Sequence, residues 1–264
     1  MPESPTLEPP TLELRGISKS FGSVQALTDV DFEVRNGEVM ALVGDNGAGK
    51  STLIKIVAGI HAADGGEIFF EGEHVSISGP KDAGKLGIEV VYQDLALCDN
   101  LDVVQNMYLG REEVTPFHAL DETRMEQRCS ETLSSLSVTT IRSVRQTVAG
   151  LSGGQRQSIA VAKAVMWNSR VVILDEPTAA LGVAQTRQVL DLVRRLADKG
   201  LAVMLVSHNL HDIFEVADRI AVLRLGRNVG LYERTKTTQQ EVVHAITAGA
   251  PTKVAGVTPA GAPA

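Results

Sequence analysis

Cysteine is scarce in this chain, which holds only Cys98 and Cys129 among its 264 residues. Neither cysteine lies in a CxxC motif, and neither has a histidine close by in the sequence. Two isolated thiols cannot supply the several disulfides that hold small secreted domains together. The sequence therefore excludes a disulfide framework and predicts two ordinary thiols of an intracellular protein.

Long apolar runs are also absent from the sequence. No segment approaches the roughly 18 to 20 consecutive apolar residues that a membrane-spanning helix needs. The amino-terminal stretch MPESPTLEPPTLEL carries acids and prolines, whereas a secretory signal has a basic start and an apolar core. We therefore expect a soluble protein that is not exported.

Positive charge is in deficit, because 25 Lys and Arg residues stand against 32 Asp and Glu residues, a formal net charge of −7. A mildly acidic chain argues against sequence-independent binding of nucleic acid through a basic surface.

What the chain does have is length and apolar content: 264 residues, 44% of them hydrophobic. These values are sufficient for one large domain, or a domain with a subdomain.

The two ends differ in composition from the rest of the chain. Residues 1–10 are rich in proline, and residues 250–264 read APTKVAGVTPAGAPA, with little to bury. Such composition predicts disordered tails. Residues 11–249 are predicted to form the folded unit, with a helical subdomain at about 95–165.

The pattern of apolar residues predicts an α/β fold. Early segments alternate like strands, whereas VMALVG (39–44) is a continuous apolar run, typical of a strand buried on both faces. Later apolar runs, RVVILD and LAVMLVS, each lead into a helical pattern. This alternation predicts a parallel sheet with helices on both faces. The early strands predict an antiparallel β subdomain at the amino terminus, and the helical middle a subdomain inserted into the core.

A glycine-rich segment, GDNGAGKS, joins the apolar run at 39–43 to a helical pattern. It fits G-x-x-x-x-G-K-[ST], in which glycines let successive backbone N–H groups point at phosphate oxygens. Lys50 would supply positive charge to the β- and γ-phosphates, and Ser51 a hydroxyl ligand for Mg²⁺. The segment predicts a site for a nucleoside triphosphate.

Two acids follow the apolar run VVIL at residues 171–174. Asp175 would lie at the carboxyl end of a strand, where open α/β sheets bind ligands, and could hold Mg²⁺ through water. Glu176 is placed to orient or deprotonate the water that attacks the γ-phosphate.

The segment LSGGQ (151–155) predicts a second anion-binding helix start. Ser152 is a good N-cap, and Gly153 and Gly154 would leave backbone N–H groups exposed. One triphosphate does not need both helix starts. Two chains facing each other, each offering this segment to the nucleotide of the other, would use both.

Five motifs follow one another in the order GDNGAGKS, VVYQD, LSGGQ, VVILDEP and SHN. With this order, the chain resembles the nucleotide-binding subunit of ATP-binding-cassette (ABC) transporters. The resemblance extends from about residue 11 to residue 247. The resemblance implies that Phe21 stacks on adenine, that Gln93 senses Mg²⁺ and the attacking water, and that His208 contacts the γ-phosphate. It implies no function for the remaining histidines, which are His61, His74, His118, His211 and His244.

The resemblance and the motifs together define a predicted site. The nucleotide-binding positions are Phe21, Gly44, Asp45, Asn46, Gly47, Ala48, Gly49, Lys50, Ser51, Thr52, Ser152, Gly153, Gly154 and Gln155. The catalytic positions are Glu176, His208 and Gln93, and the Mg²⁺ positions are Ser51, Gln93 and Asp175. The sequence departs from the family in one turn, since Gly182 stands where the family usually has an aspartate that helps two protomers sense each other.

The resemblance is strongest to bacterial monosaccharide importers, through GDNGAGKSTLIKIVAG, the segment that follows it, and NMYLGRE. It implies ATP and Mg²⁺ as cofactors, a second copy of the chain and membrane permease subunits as partners, and a solute-binding protein acting indirectly. It also implies a cytoplasmic location at the inner face of the membrane, and no nucleic-acid partner.

Other functions remain open at this point. The chain could be an ABC subunit for a solute other than a sugar, or a soluble ABC ATPase of DNA repair or translation. The absence of sustained heptads and of a basic arm argues against the soluble class. A kinase or GTPase has no use for LSGGQ, and a subunit that binds ATP without hydrolysis would not need Glu176 and His208.

Overall fold

The fold is built around a six-stranded sheet with a smaller antiparallel sheet against one of its faces. The computed structural model describes residues 9–249. The predicted tail at 250–264 and most of the one at 1–10 lie outside the described residues. Among residues 9–249, no helix is both long enough and apolar enough to cross a bilayer.

The antiparallel sheet has the strand order β2-β1-β4-β5. Its strands are β1 (Leu12–Phe21), β2 (Val24–Val34), β4 (Gly65–Phe70) and β5 (Glu73–Val75). The turn between β1 and β2 is short, so that Phe21 pairs with Val24. The predicted amino-terminal antiparallel sheet is confirmed.

The central sheet has the strand order β10-β9-β3-β8-β7-β6. Its strands are β3 (Val39–Val43), β6 (Ile88–Val91), β7 (Val171–Asp175), β8 (Ala202–Val206), β9 (Arg219–Arg224) and β10 (Arg227–Glu233). All neighbouring pairs are parallel except β9 and β10, which form an antiparallel hairpin.

Both faces of the central sheet are buried, which explains the continuous apolar run of β3. Val39, Ala41 and Val43 pack into one hydrophobic cluster, and Met40 and Leu42 into the other. Because successive side chains of a strand point to opposite faces, a strand covered on both sides must be apolar throughout.

Eight α-helices complete the described part of the chain. They are α1 (Lys50–Val57), α2 (Pro80–Lys85), α3 (Val103–Tyr108), α4 (Glu122–Ser135), α5 (Gly153–Val165), α6 (Val183–Asp198), α7 (Leu210–Val216) and α8 (Gln239–Ala248). The helices α3 to α8 contribute to one cluster, and α1 and α2 share the other with the antiparallel sheet. Helices thus lie on both faces of the central sheet, as predicted. In the sequence, α3, α4 and α5 come between β6 and β7.

Candidate functional site

Four loops carrying predicted site residues lie at one edge of the central sheet. The strands β3, β8, β7 and β6 are neighbours in that order and run parallel. Their carboxyl ends therefore meet at the same edge, which is where open α/β sheets bind ligands. The loops begin with Gly44 after β3, Ser207 after β8, Glu176 after β7 and Tyr92 after β6.

The segment Gly44–Ser51, here called the phosphate loop, connects β3 directly to α1. Gly49 is the residue before α1, has a φ of 104°, and no side chain caps the helix. A Cβ at Gly49 would lie 2.6 Å from Leu27 Cδ2 and 2.9 Å from the carbonyl oxygen of Ala26. Only glycine fits here, and the uncapped N–H groups at the start of α1 are free to bind an anion.

The ammonium group of Lys50 curls back over its own loop. Lys50 Nζ donates hydrogen bonds to the carbonyl oxygens of Gly44 at 2.6 Å and Asp45 at 3.1 Å. Its charge also acts on Asp175, where Lys50 and Lys55 lower the carboxyl pKa against the larger effects of burial and Glu176. Lys50 and Asp175 are therefore close enough to interact electrostatically.

The pKa of the Asp175 carboxyl is raised above its ordinary value. Burial is the largest cause, followed by repulsion from the neighbouring charge of Glu176, and Lys50 acts in the opposite direction. The pKa of Tyr92, beyond β6, is also raised, by burial and then by the charge of Asp175. These couplings place the ends of β6 and β7 and the phosphate loop around one cluster of charge.

Glu176 has a left-handed backbone conformation, with a φ of 51°. Its N–H donates to the carbonyl oxygen of Val206 at 2.8 Å, which fixes this conformation against the end of β8. Non-glycine residues rarely adopt such angles, and those that do cluster at functional sites. The Glu176 side chain is 15% exposed, and its Oε1 lies 2.9 Å from Nδ1 of His208, whose side chain is 73% exposed.

A second contact joins the segment after β7 to the segment after β8. The Thr178 hydroxyl donates to Oδ2 of Asp212 at 2.6 Å. Asp212 lies in the first turn of α7 and is 3% exposed. Neither residue belongs to the site predicted from the sequence, and the sequence signal for Asp212 is an acid on the buried side of a short helix.

The segment Ser152–Gln155 begins α5 and forms a capping box. The Ser152 hydroxyl accepts from the Gln155 N–H at 3.3 Å, and the Gln155 side chain accepts from the Ser152 N–H at 2.9 Å. Gln155 Nε2 also donates to the carbonyl oxygen of Thr140 at 2.7 Å. Within residues 9–249, no hydrogen bond or ion pair joins this segment to the phosphate loop.

Gly182 precedes α6, close to the start of α5. Its φ is −75°, and a Cβ added there would meet nothing within 4 Å. Neither the backbone conformation nor the packing around this position therefore requires glycine.

Phe21 lies on the antiparallel sheet, at the turn between β1 and β2, and is 45% exposed. Its ring makes an edge-to-face contact with the ring of His61, at 5.2 Å between centroids. Lys19 Nζ lies 5.6 Å from the Phe21 ring centroid. His61 has no predicted function, and the structure places it against the predicted adenine-binding residue.

A cleft of about 400 Å³ lies beside the phosphate loop and His208. Its lining consists of Val43, Gly44, Asp45, Asn46, His208, Leu210, Val243, Ile246 and Thr247. The last three residues belong to α8, which the sequence analysis did not predict. Gln93 is exposed two residues beyond β6, at the same edge of the sheet.

The oxygen atoms at this edge suit a hard cation that takes only some of its ligands from the protein. Among residues 9–249, no group of three or more His, Cys, Asp or Glu side chains is arranged to hold a metal. Ser51 and Asp175 offer a hydroxyl and a carboxylate oxygen. Mg²⁺ is held in this way in phosphate sites, by one or two protein oxygens together with phosphate and water.

Comparison with known proteins shows the family of the chain. The profile of the family described as ABC transporter matches residues 27–179. The xylose/arabinose import ATP-binding protein XylG of Sulfolobus acidocaldarius is 46% identical over 243 residues, 92% of this chain and 96% of that protein. The fructose import ATP-binding protein FrcA of Rhizobium meliloti is 45% identical over 240 residues, 89% of this chain and 92% of that protein.

Solved structures share the fold. The ADP conformation of MJ1267, an ATP-binding cassette of an ABC transporter, has a TM-score of 0.77 at 24% identity, covering 92% of this chain and 96% of that one. The dimeric post-hydrolysis state of the ATP-binding cassette MJ0796, bound to ADP and Pi, has a TM-score of 0.70 at 24% identity, covering 84% and 98%.

The fold and the edge of the central sheet therefore define a nucleotide-binding ATPase cassette. The chain belongs to the ABC transporter family, as one of its ATP-hydrolysing subunits.

Proposed function

We propose that this chain hydrolyses ATP to power import of a monosaccharide through a membrane permease. The similarity to XylG and FrcA, along almost the whole length of both proteins, carries this proposal. The choice of a sugar depends on these relatives.

The phosphate loop and the start of α1 bind the triphosphate. The uncapped N–H groups of α1 and the Lys50 ammonium together offer positive charge to the phosphate oxygens. In the structure, the Lys50 ammonium donates hydrogen bonds to two carbonyl oxygens of its own loop. ATP binding exchanges these for charge-assisted bonds to the β- and γ-phosphates.

Ser51, Asp175 and Gln93 hold Mg²⁺ with the nucleotide. When bound, the cation neutralises phosphate charge and withdraws electron density from the γ-phosphate. Burial and then the charge of Glu176 raise the pKa of Asp175, and a bound cation would favour its ionised form.

Glu176 accepts a proton from the water that attacks the γ-phosphate, and His208 holds the Glu176 carboxylate in place. The contact of 2.9 Å between Glu176 Oε1 and His208 Nδ1 supports this pairing. His208 also lines the cleft beside Gly44 and Asp45 of the phosphate loop, so we expect its exposed ring to contact the γ-phosphate of a nucleotide held by that loop.

Two copies of the chain face each other, and the Ser152–Gln155 segment of one completes the nucleotide site of the other. Gly153 is exposed in the first turn of α5, whereas Gly154 is buried, contrary to the expectation that both would leave their N–H groups exposed. The first-turn N–H of Gly153 has no partner within the helix and is the group offered to an external phosphate. A nucleotide between two positive helix starts favours the closed dimer. Phe21 contacts the adenine, and opening after hydrolysis moves the permease.

If the chain powers import, its partners are the membrane permease subunits and, indirectly, a solute-binding protein. Its location is then the inner face of the membrane. The test is to purify the chain from membranes with its bound permease and reconstitute the complex in nanodiscs. ATP hydrolysis is then measured with the binding protein and xylose, fructose, ribose or an amino acid. Stimulation by a monosaccharide is expected; stimulation by the amino acid alone would refute sugar import.

A further inference from the structure

The turn of the β9–β10 hairpin contacts two parts of the molecule at once. The Gly226 N–H donates to the carbonyl oxygen of Ala48, in the phosphate loop, at 3.0 Å. The Gly226 carbonyl oxygen accepts from the Thr28 N–H, on β2, at 2.8 Å. One residue therefore connects the phosphate loop to the antiparallel sheet.

The hairpin is also attached to β2 by a side chain. Asn228 Oδ1 accepts from the Asp31 N–H at 2.8 Å, and Asn228 Nδ2 donates to the Asp31 carbonyl oxygen at 3.0 Å. Both backbone groups of Asp31 are thereby bound by a single amide side chain. This paired contact fixes the position of β10 along β2.

Gly226 has no room for a side chain. Its φ is 73°, and a Cβ added there would lie 2.5 Å from the carbonyl oxygen of Ala26. Leu225 before it has a φ of 47°, so the two residues form the left-handed pair of a tight hairpin turn. The close approach lets the turn lie between β2 and the phosphate loop.

From these contacts we propose that Gly226 and Asn228 are positioning residues that fix the phosphate loop relative to the sheet that carries Phe21. The inference rests on the proposed function, in which one ATP contacts both the phosphate loop and Phe21. A ligand that bridges two contact regions gains affinity from their fixed separation, because the second contact costs less entropy once the first is made. Gly226 and Asn228 thereby increase affinity for the whole nucleotide more than affinity for its phosphates.

The test compares two ligands by calorimetry in the presence of Mg²⁺: ATP, and inorganic triphosphate, which has no base. The variants are Asn228→Ala, which removes both bonds to Asp31, and Gly226→Ala. The control for the first is Asn36→Ala, because the Asn36 side chain accepts a hydrogen bond from the Thr11 hydroxyl at 2.9 Å, just beyond the opposite ends of β1 and β2. The control for the second is Gly87→Ala, at a φ of 76° before β6.

Asn228→Ala and Gly226→Ala are expected to weaken ATP binding by about 3- to 10-fold, the effect of one or two hydrogen bonds. Triphosphate binding is expected to change by less than about 2-fold, and the two controls should leave the ratio of ATP to triphosphate affinity unchanged. If Gly226→Ala does not fold, the exposed Asn228→Ala variant still gives this ratio.

Equal losses for ATP and triphosphate would overturn the inference, because the hairpin would then only shape the phosphate loop. Unchanged ATP affinity in Asn228→Ala would also overturn it. A wild-type protein that binds neither ligand would instead refute the proposed nucleotide site itself, so the two failures are distinguishable.

Discussion

Glu176 and His208 contact each other across the ends of two adjacent strands, with Oε1 and Nδ1 2.9 Å apart. Glu176 follows β7 and His208 follows β8, and Asp175 pairs with Val206 in the register between these strands. The contact therefore depends on the parallel pairing of β7 with β8. It orients a carboxylate held in a left-handed backbone conformation, which is the group proposed to accept the proton of the attacking water.

Glu176→Gln should keep ATP binding and lose roughly 10²–10⁴-fold in hydrolysis rate, because the amide cannot accept the proton. Phosphate release under saturating ATP measures the rate, and calorimetry measures affinity. The control is Glu215→Gln, an exchange of the same kind on α7. A Glu176→Gln variant that hydrolyses ATP near the wild-type rate would remove this residue as the base.

Lys50→Ala should abolish tight binding of ATP with Mg²⁺, because the phosphates lose the ammonium group that the Gly44 and Asp45 carbonyls hold over the loop. Lys55→Ala is the matched control, since Lys55 is exposed on the last turn of the same helix. Calorimetric titration gives both affinities. Equal affinities for the two variants would contradict the placement of Lys50 at the phosphates.

Asp175→Asn should stabilise the nucleotide-free protein at neutral and higher pH. The folded-state pKa of Asp175 is raised, chiefly by burial, so the stability associated with its protonated form is lost as the pH rises through that pKa. The amide has no charge to bury. Thermal unfolding should therefore show a higher midpoint than wild type at about pH 8, and a smaller difference at about pH 4.

The control for this pH series is Asp191→Asn, on the exposed side of α6, which should show no such pH-dependent gain. Asp175→Asn should at the same time lose Mg²⁺-dependent hydrolysis. A midpoint lower than wild type at about pH 8 would show that the ionised carboxylate stabilises the fold, contrary to its raised pKa.

Thr178→Val should slow hydrolysis and leave ATP affinity unchanged. The valine removes the hydroxyl bound to Asp212, which is 3% exposed, and the unpaired buried carboxylate should cost about 1–3 kcal/mol of stability. The segment that carries Glu176 also loses its attachment to α7. The control is Thr178→Ser, which keeps the hydroxyl and should retain both the unfolding midpoint and kcat. A Thr178→Val enzyme with wild-type kcat would exclude a positioning function for Thr178.

The parts of the fold that could be predicted from sequence are those determined by local pattern. The phosphate loop and the strand at 39–43 could be predicted because a glycine-rich turn and a continuous apolar run are local signals. The short elements β5 and α2 could not, because three and six residues carry too little periodicity. The helix α8 was missed because Val242 and Ala245 are its only buried residues.

The contacts of the candidate site depend on tertiary pairing. Neither the contact of Glu176 with His208 nor that of Thr178 with Asp212 has a sequence spacing that would predict it. Resemblance to the family pointed to His208, but not to Thr178, Asp212 or His61. Those residues become visible only when the strand order places their segments side by side.

The central claim is that ATP holds two copies of the chain together. The most direct measurement is the molar mass of Glu176→Gln with ATP and Mg²⁺, by size-exclusion chromatography with light scattering, with and without the permease. A dimer in ATP that returns to monomer in ADP is the predicted result. A strict monomer under every condition, including the permease complex with one cassette per transporter, would contradict the account.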